Sequence, residues 1–244
     1  MHTLWTLIET LKSDYYRWID LSYELSPQTP HWRGFGEMTT APIYDFSPTC
    51  MFHADNYFLP SGQFGTHIDA PSHFHQGARS LHDIQLKEMV YPLVVIDKSQ
   101  ACQKNADYEL SISDITTWEN IYGKIPANSF VAFRSDWSKR TDLNNYDDKG
   151  NPHYPGWKLE TIKWLVTTRH VRAIGHETSD TDAPAANTMA AGETYILKTD
   201  RFQVELLKNL DQVPPTGAII FITFPKVMNG TGFPARVFAI APNT

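Results

Sequence analysis

Cysteine is nearly absent from this chain: Cys50 and Cys102 are the only two in 244 residues. Two thiols close at most one bridge, and neither shows the paired spacing of a zinc knuckle or a redox motif, so both read as ordinary thiols. Basic residues are outnumbered as well, with 21 Lys+Arg against 27 Asp+Glu and a formal charge of -6. That balance excludes a sequence-independent grip on nucleic-acid phosphates, which needs a basic surface, and makes a small molecule the expected partner. Long apolar runs are missing too; without about 20 consecutive apolar residues, no membrane-spanning helix is expected. Near the N-terminus, Leu4, Leu7, Ile8 and Leu11 recur at helical spacing among Glu9, Lys12 and Asp14. The pattern predicts an amphipathic helix over residues 3–13 rather than a continuous apolar signal core, and hence a cytoplasmic protein.

What is present suffices for a full core. With 41% hydrophobic and 20% charged residues, the chain 1–244 is expected to form one domain. Runs rich in β-branched and aromatic residues predict strands at Tyr91 to Asp97, Phe130 to Arg134, Ala218 to Phe224 and Arg236 to Ala241. Their near-continuous apolar character suggests sheets covered on both faces. Helices are expected from Ser113 or Asp114 to Tyr122, stopped at Gly123, and from Lys158 to Thr168. Between them Thr141 to Pro155 is polar and turn-rich, a long loop and a candidate lid. The fold class is mixed α/β with more strand than helix.

One short segment concentrates groups able to do chemistry. Gln63, His67, Asp69 and His73 lie within eleven positions. In an extended stretch, His67 and Asp69 project from the same face because side chains two apart in a strand point the same way, which suits two ligands of one metal ion. Gly65 permits a backbone conformation or close approach that other residues avoid, and Pro71 stiffens the exit toward His73. A lone His-x-Asp pair is more often a surface turn, so the weight rests on all four groups together.

Gln63 to His73 resembles the signature His-x-Gly-Thr-His-x-Asp-x-Pro-x-His of the cyclase-like metal-dependent hydrolases, the family of bacterial kynurenine formamidase and isatin hydrolase. The likeness runs along the chain. Leu25 to Trp32 resembles the family's N-terminal substrate-side segment, and Gly175 to Asp182 its Gly-x-Asp-Thr-x-Ser-x-Asp stretch. Glu205 to Leu210 resembles Glu-Asn-Leu-Thr-Asn-Leu, and Gly232 to Arg236 the terminal Gly-x-Pro-x-Arg. The resemblance implies a swivelling β/β/α domain, with mixed sheets and flanking helices, that associates as a homodimer or homotetramer. It further implies that His67, Asp69 and Glu205 bind a divalent ion (Mn, Zn or Fe), that His73 is the general acid/base, and that Trp32 lies against the substrate. Gln63 stands where the family has a histidine ligand and is expected to bind the ion through its amide oxygen, a harder donor than imidazole that shifts preference toward Mn or Fe. Where some formamidases carry a histidine for a second zinc, twelve positions before the glutamate ligand, this chain has Glu193. Glu193 is therefore expected to help hold a second ion or to support the ligands of the first, whereas His176, beside the strand-like Ala173 to Gly175, reads as a hydrogen-bonded interior histidine, with a role as a ligand or in supporting the ligands as the alternative.

The activity implied is metal-assisted hydrolysis of a C–N bond in a small aromatic or cyclic amide, a formamide or lactam, with His73 relaying a proton to the leaving nitrogen. Lactone hydrolysis on the same site and a metal- or ligand-binding protein without turnover are the alternatives. Arg134 and Arg236 read as structural ion-pair partners, Asp136 and Trp137 as part of the pocket mouth, and His153 as either a pocket-side or a solvated loop residue.

Overall fold

The computed structural model describes residues 3–243. In chain order, helix α1 (Leu4–Leu11) and strand β1 (Tyr16–Asp20) are followed by a hairpin of β2 (Thr39–Tyr44) and β3 (Ala54–Phe58), then by the short β4 (His67–Asp69). Next come β5 (Val90–Asp97), α2 (Ser99–Lys104), β6 (Glu109–Leu110), α3 (Ile112–Tyr122), β7 (Phe130–Arg134), β8 (Gly156–Trp157) and α4 (Leu159–Trp164). The chain ends with β9 (Ala173–His176), α5 (Ala191–Lys198), β10 (Phe202–Glu205), β11 (Ala218–Thr223), β12 (Gly232–Pro234) and β13 (Arg236–Pro242).

Nine strands form one mixed sheet in the order β1-β13-β11-β5-β7-β9-β10-β4-β12. The centre, β5 through β10, is parallel, and both flanks are antiparallel. Alternation along the strands creates two cores. Leu93 and Val95 of β5, Phe130 and Ala132 of β7, and Ile220 and Val237 of the flank fill one face, together with Ile68 and Val204. Val94, Ile96, Val131, Phe133 and Ile174 point the other way, against Cys102, Ile115, Trp118, Ile162 and Leu197 from helices α2 to α5. The central strands read as continuous apolar runs because both faces are covered. The outcome is the mixed α/β architecture with flanking helices that the sequence implies.

Several local expectations need correction. α3 begins two or three residues early: Ser111, not Ser113 or Asp114, caps it, its hydroxyl accepting from the Asp114 N–H while the Asp114 carboxylate accepts from the Ser111 N–H. The N-terminal helix is shorter than residues 3–13, and Trp18 lies on β1, stacked on Phe238 with ring centroids 5.5 Å apart. Trp137 is buried at the base of the long loop, its indole N–H donating to the Leu143 carbonyl, while Asp136 pairs with Arg134 and Lys139. Neither lines the pocket mouth, because the ion pairs turn Asp136 back onto the end of β7. Arg134 and Arg236 do pair structurally, with Asp97 at 2.9 Å and Asp20 at 2.7 Å.

Candidate metal centre

β4 is inserted antiparallel between β10 and β12, and its register with β10 sets His67 opposite Glu205 and Asp69 opposite Gln203. Ile68 and Val204 serve the apolar core, so the flanking residues of each strand must face the opposite side, where helix α5 arrives. Gly65 takes φ +65°, a left-handed turn that glycine adopts without strain and that aims the chain into β4. Thr66 then anchors the entry, donating to the Leu206 carbonyl at 2.6 Å and accepting from the Tyr23 N–H at 2.9 Å.

His67, Asp69 and Glu205 are buried, and one ligand-type atom from each lies within 4.8 Å of the others. His67 Nδ1 meets the Gly65 carbonyl at 2.8 Å, a bond that leaves Nε2 to face Asp69 Oδ2 at 3.4 Å and Glu205 Oε2 at 3.6 Å. Metal-binding histidines are oriented in this way, by a hydrogen bond from the second ring nitrogen. Asp69 Oδ1 is buried and has no hydrogen-bond partner. An imidazole nitrogen, two carboxylates and an orphaned carboxylate oxygen form a donor set that fits a divalent cation.

The electrostatics carry the same strain. Burial pulls the His67 imidazole down, but the fields of Asp69 and Glu205 outweigh it and hold it up at about 9. Burial opposes the charge on Asp69 as well, yet His67, His73 and Gln203 keep it below the usual carboxylate range. Glu205 and Glu193 are pushed well above that range, first by burial and then by the neighbouring carboxylates.

The surrounding residues fix these groups. His176, at the end of β9, is pushed down to about 4 by burial and is neutral; its Nδ1 accepts from Trp157 Nε1 at 3.3 Å, so Nε2 carries the proton facing Glu205 Oε1 at 3.3 Å. It is an interior histidine hydrogen-bonded to Glu205. Glu193 rides on the first turn of α5, whose leading N–H groups donate to Asp182, 2.9 Å from Gly192 and 3.1 Å from Glu193. A carboxylate supplied from outside the helix thus satisfies its N-terminus and places Glu193. His73, on the helical turn after β4, has Nε2 at 3.9 Å from Glu193 Oε1 and Nδ1 at 3.4 Å from Gln63 Nε2. The Gln63 oxygen accepts from Ser61 Oγ at 2.8 Å, and its amide nitrogen reaches Thr231 Oγ1 at 3.2 Å.

A cavity of about 300 Å³ opens above these groups, lined by Trp32, Phe35 and Phe74 and floored by Gln63, His67, Asp69, His73, Glu193 and Glu205. Gly34 seats Trp32: a Cβ there would fall 1.4 Å from the indole. A larger, more polar cavity of about 530 Å³ shares Asp180, Ala190 and Glu193 with the first and extends to Arg33, His153 and Tyr154. His153 therefore does approach the pocket, held by Asp107 at 2.9 Å. Every residue singled out from the sequence motif reaches this one region. No sequence motif pointed to Gln203, Arg33, Phe35, Phe74 or the helix-capping role of Asp182. Gln203 alone had a readable signal, lying two residues before Glu205 and so on the same strand face.

A curled mixed sheet flanked by helices, with a buried His/Asp/Glu group beneath an aromatic cavity, defines a class, and the comparisons supply the family. The Cyclase family model matches residues 19–183, and the chain belongs to that family. It is 32% identical to isatin hydrolase of Roseibium aggregatum over 213 residues, covering 82% of this chain and 80% of that protein. Kynurenine formamidase of Maricaulis maris is 26% identical over 224 residues, 89% of this chain and 94% of that one. The structure of isatin hydrolase A from Labrenzia aggregata bound to benzyl benzoate superposes with a TM-score of 0.92 at 32% identity, covering 99% of this chain and 100% of that chain.

Proposed function

We propose that this protein is a metal-dependent amidohydrolase that opens the C–N bond of a small aromatic lactam of the isatin type. The observation that carries the reading is the convergence of His67, Asp69 and Glu205 on the floor of a cavity walled by Trp32, Phe35 and Phe74, with His73 at its edge. Flat aromatic walls suit a fused aromatic ring, and the polar floor suits its amide.

His67, Asp69 and Glu205 hold the ion. One nitrogen and two carboxylates make an oxygen-rich set, which favours manganese or iron over a tight zinc site. When bound, a divalent cation supplies Lewis acidity, polarising an amide carbonyl and making water a better nucleophile near neutral pH. The remaining steps belong to this chain's side chains. Trp32 and Phe74 hold the ring and exclude bulk water. Gln63 donates to Nδ1 of His73, so Nε2 carries the ring proton and is the atom placed to give it to the leaving nitrogen. Gln63 thereby orients His73, while its own oxygen is engaged by Ser61.

Assembly as a homodimer or homotetramer is part of the proposal. The β2–β3 hairpin and its tip expose Ile43, Tyr44, Phe46, Met51, Phe52, Tyr57 and Phe58, and α1 buries none of its residues. A two-stranded hairpin that packs little of its own apolar surface is marginal alone and gains from a covering neighbour.

The test uses purified protein stripped with a chelator and reloaded with Mn²⁺, assayed on isatin, N-formylaniline and a matching aromatic lactone. Isatin is expected to turn over fastest and only with metal restored. Activity that survives chelation, or a lactone cleaved faster than its lactam, overturns the assignment.

A further inference from the structure

Gln203 sits at the centre of the polar cluster and is completely buried. Its amide nitrogen lies 2.9 Å from Glu193 Oε1, 3.0 Å from Glu205 Oε1 and 3.2 Å from Asp69 Oδ2. Three carboxylates from three elements (β4, α5 and β10) thus converge on one neutral NH₂ group. Thr181, also fully buried, donates to the Gln203 oxygen at 2.6 Å and sets the orientation of the amide. The reverse orientation would bring the amide oxygen against three carboxylate oxygens at hydrogen-bond distance, which is repulsive in a buried site.

Buried carboxylates that meet at a point need a cation or hydrogen-bond donors between them. Glu193 and Glu205 have no lysine or arginine partner among the described residues. Their shared neighbour is the Gln203 amide. Resting on the hydrolase reading above, we infer that Gln203 occupies the place a second divalent cation would take, and so restricts the centre to one ion while holding Glu193 and Glu205 in position. It is a positioning residue; it bridges the ligands without touching the reacting atoms. The consequence is specific to this amide: shortening it should open a second cation position bounded by Glu193, Glu205 and Asp69.

The experiment counts bound Mn²⁺ by equilibrium dialysis and elemental analysis, and records its electron paramagnetic resonance. Wild-type protein should bind one ion per chain and give the signal of an isolated Mn²⁺. Gln203→Ala should bind two, with an exchange-coupled spectrum that reports neighbouring ions. Glu193→Gln added to Gln203→Ala should return the count to one. Wild-type protein that takes up two coupled ions overturns the inference even where the variants fail to fold. One ion with an unaltered spectrum in Gln203→Ala overturns it as well. Wild-type protein that binds no ion would sink the hydrolase reading first, and this one with it, so the two failures are distinguishable.

Discussion

The two flanks of the sheet are built from similar strands and bury opposite kinds of side chain. On one side, β11 and β13 send Ile220, Ile222, Val237 and Ala239 into the core, and among the described residues β1, β5, β11 and β13 bury no Asp, Glu, His, Lys or Arg. Across the parallel centre, β9, β10 and β4 bury His176, Gln203, Glu205, His67 and Asp69. Both flanks nevertheless contribute to the same apolar core, through Ile220 and Val237 on one and Ile68 and Val204 on the other. The strand's alternation of faces makes this possible. One face of the polar flank does the packing that stability requires, which frees the other to hold groups whose burial costs free energy and is offset only by pairing or by a cation.

The sharpest way to break the contrast is to remove a ligand from the polar flank. Asp69→Asn keeps the shape of the side chain and deletes its charge. The expected result is loss of tight metal binding and a fall in turnover of about a thousandfold or more, in line with several kcal/mol of transition-state stabilisation from the ion. Calorimetric metal titration and steady-state kinetics on isatin measure both. A variant that keeps metal and turnover would remove Asp69 from the centre.

On the apolar flank the expected loss is of a different kind. Ile220 is fully buried, and Ile220→Ala should lower unfolding stability by about 2–5 kcal/mol through lost transfer energy and a residual cavity. Turnover per folded molecule should stay close to wild type. A large drop in turnover at unchanged metal content would show that the flanks are coupled more tightly than the shared core implies.

How much of this contrast could be read in advance differs by residue. His67 and Asp69 were legible because two residues apart on a strand share a face, and Glu205 was reached through the family resemblance. The central strands were legible because both faces are apolar. Gln203 stands in the same relation to Glu205 as His67 does to Asp69, but a glutamine carries no charge to mark it in the sequence. Helix α5 was hidden because no side chain at its own N-terminal boundary caps it: Ala190 is left-handed, and the carboxylate that satisfies the helix comes from Asp182. The β2–β3 hairpin was obscured by Pro42 and by the polar Asp55 and Asn56, and its strands bury little in the fold. His176 could be recognised as interior, but its partners Trp157 and Glu205 are set by the parallel register of β9, a tertiary property.

A smaller perturbation separates holding the ion from orienting its ligands. His176→Phe preserves the bulk of the side chain and removes the hydrogen bond to Glu205. Loss of such an orienting group typically weakens metal affinity by about 10–100-fold. Titration with Mn²⁺ should show that weakening with the stoichiometry unchanged, and saturating metal should restore most of the turnover. Affinity equal to wild type would mean that Gln203 alone is sufficient to fix Glu205.

The smallest effect is expected where charge lies on the apolar flank but in water. Arg236 on β13 pairs with Asp20 on β1 at 2.7 Å, and the arginine side chain is 70% exposed. Exposed pairs of this kind contribute about 0.2–1 kcal/mol, because solvent screens the attraction and side-chain ordering opposes it. Arg236→Ala should therefore shift stability by less than about 1 kcal/mol, with a smaller difference at high salt, and leave metal binding untouched. The family resemblance includes this arginine in a terminal Gly-x-Pro-x-Arg, whose Gly232 and Pro234 pair with Asp69 and His67 across β12 and β4. If Arg236→Ala weakened the metal site, the exposed ion pair would be acting through that strand on the ligands, and the separation between the flanks would fail at the one point where they adjoin in sequence.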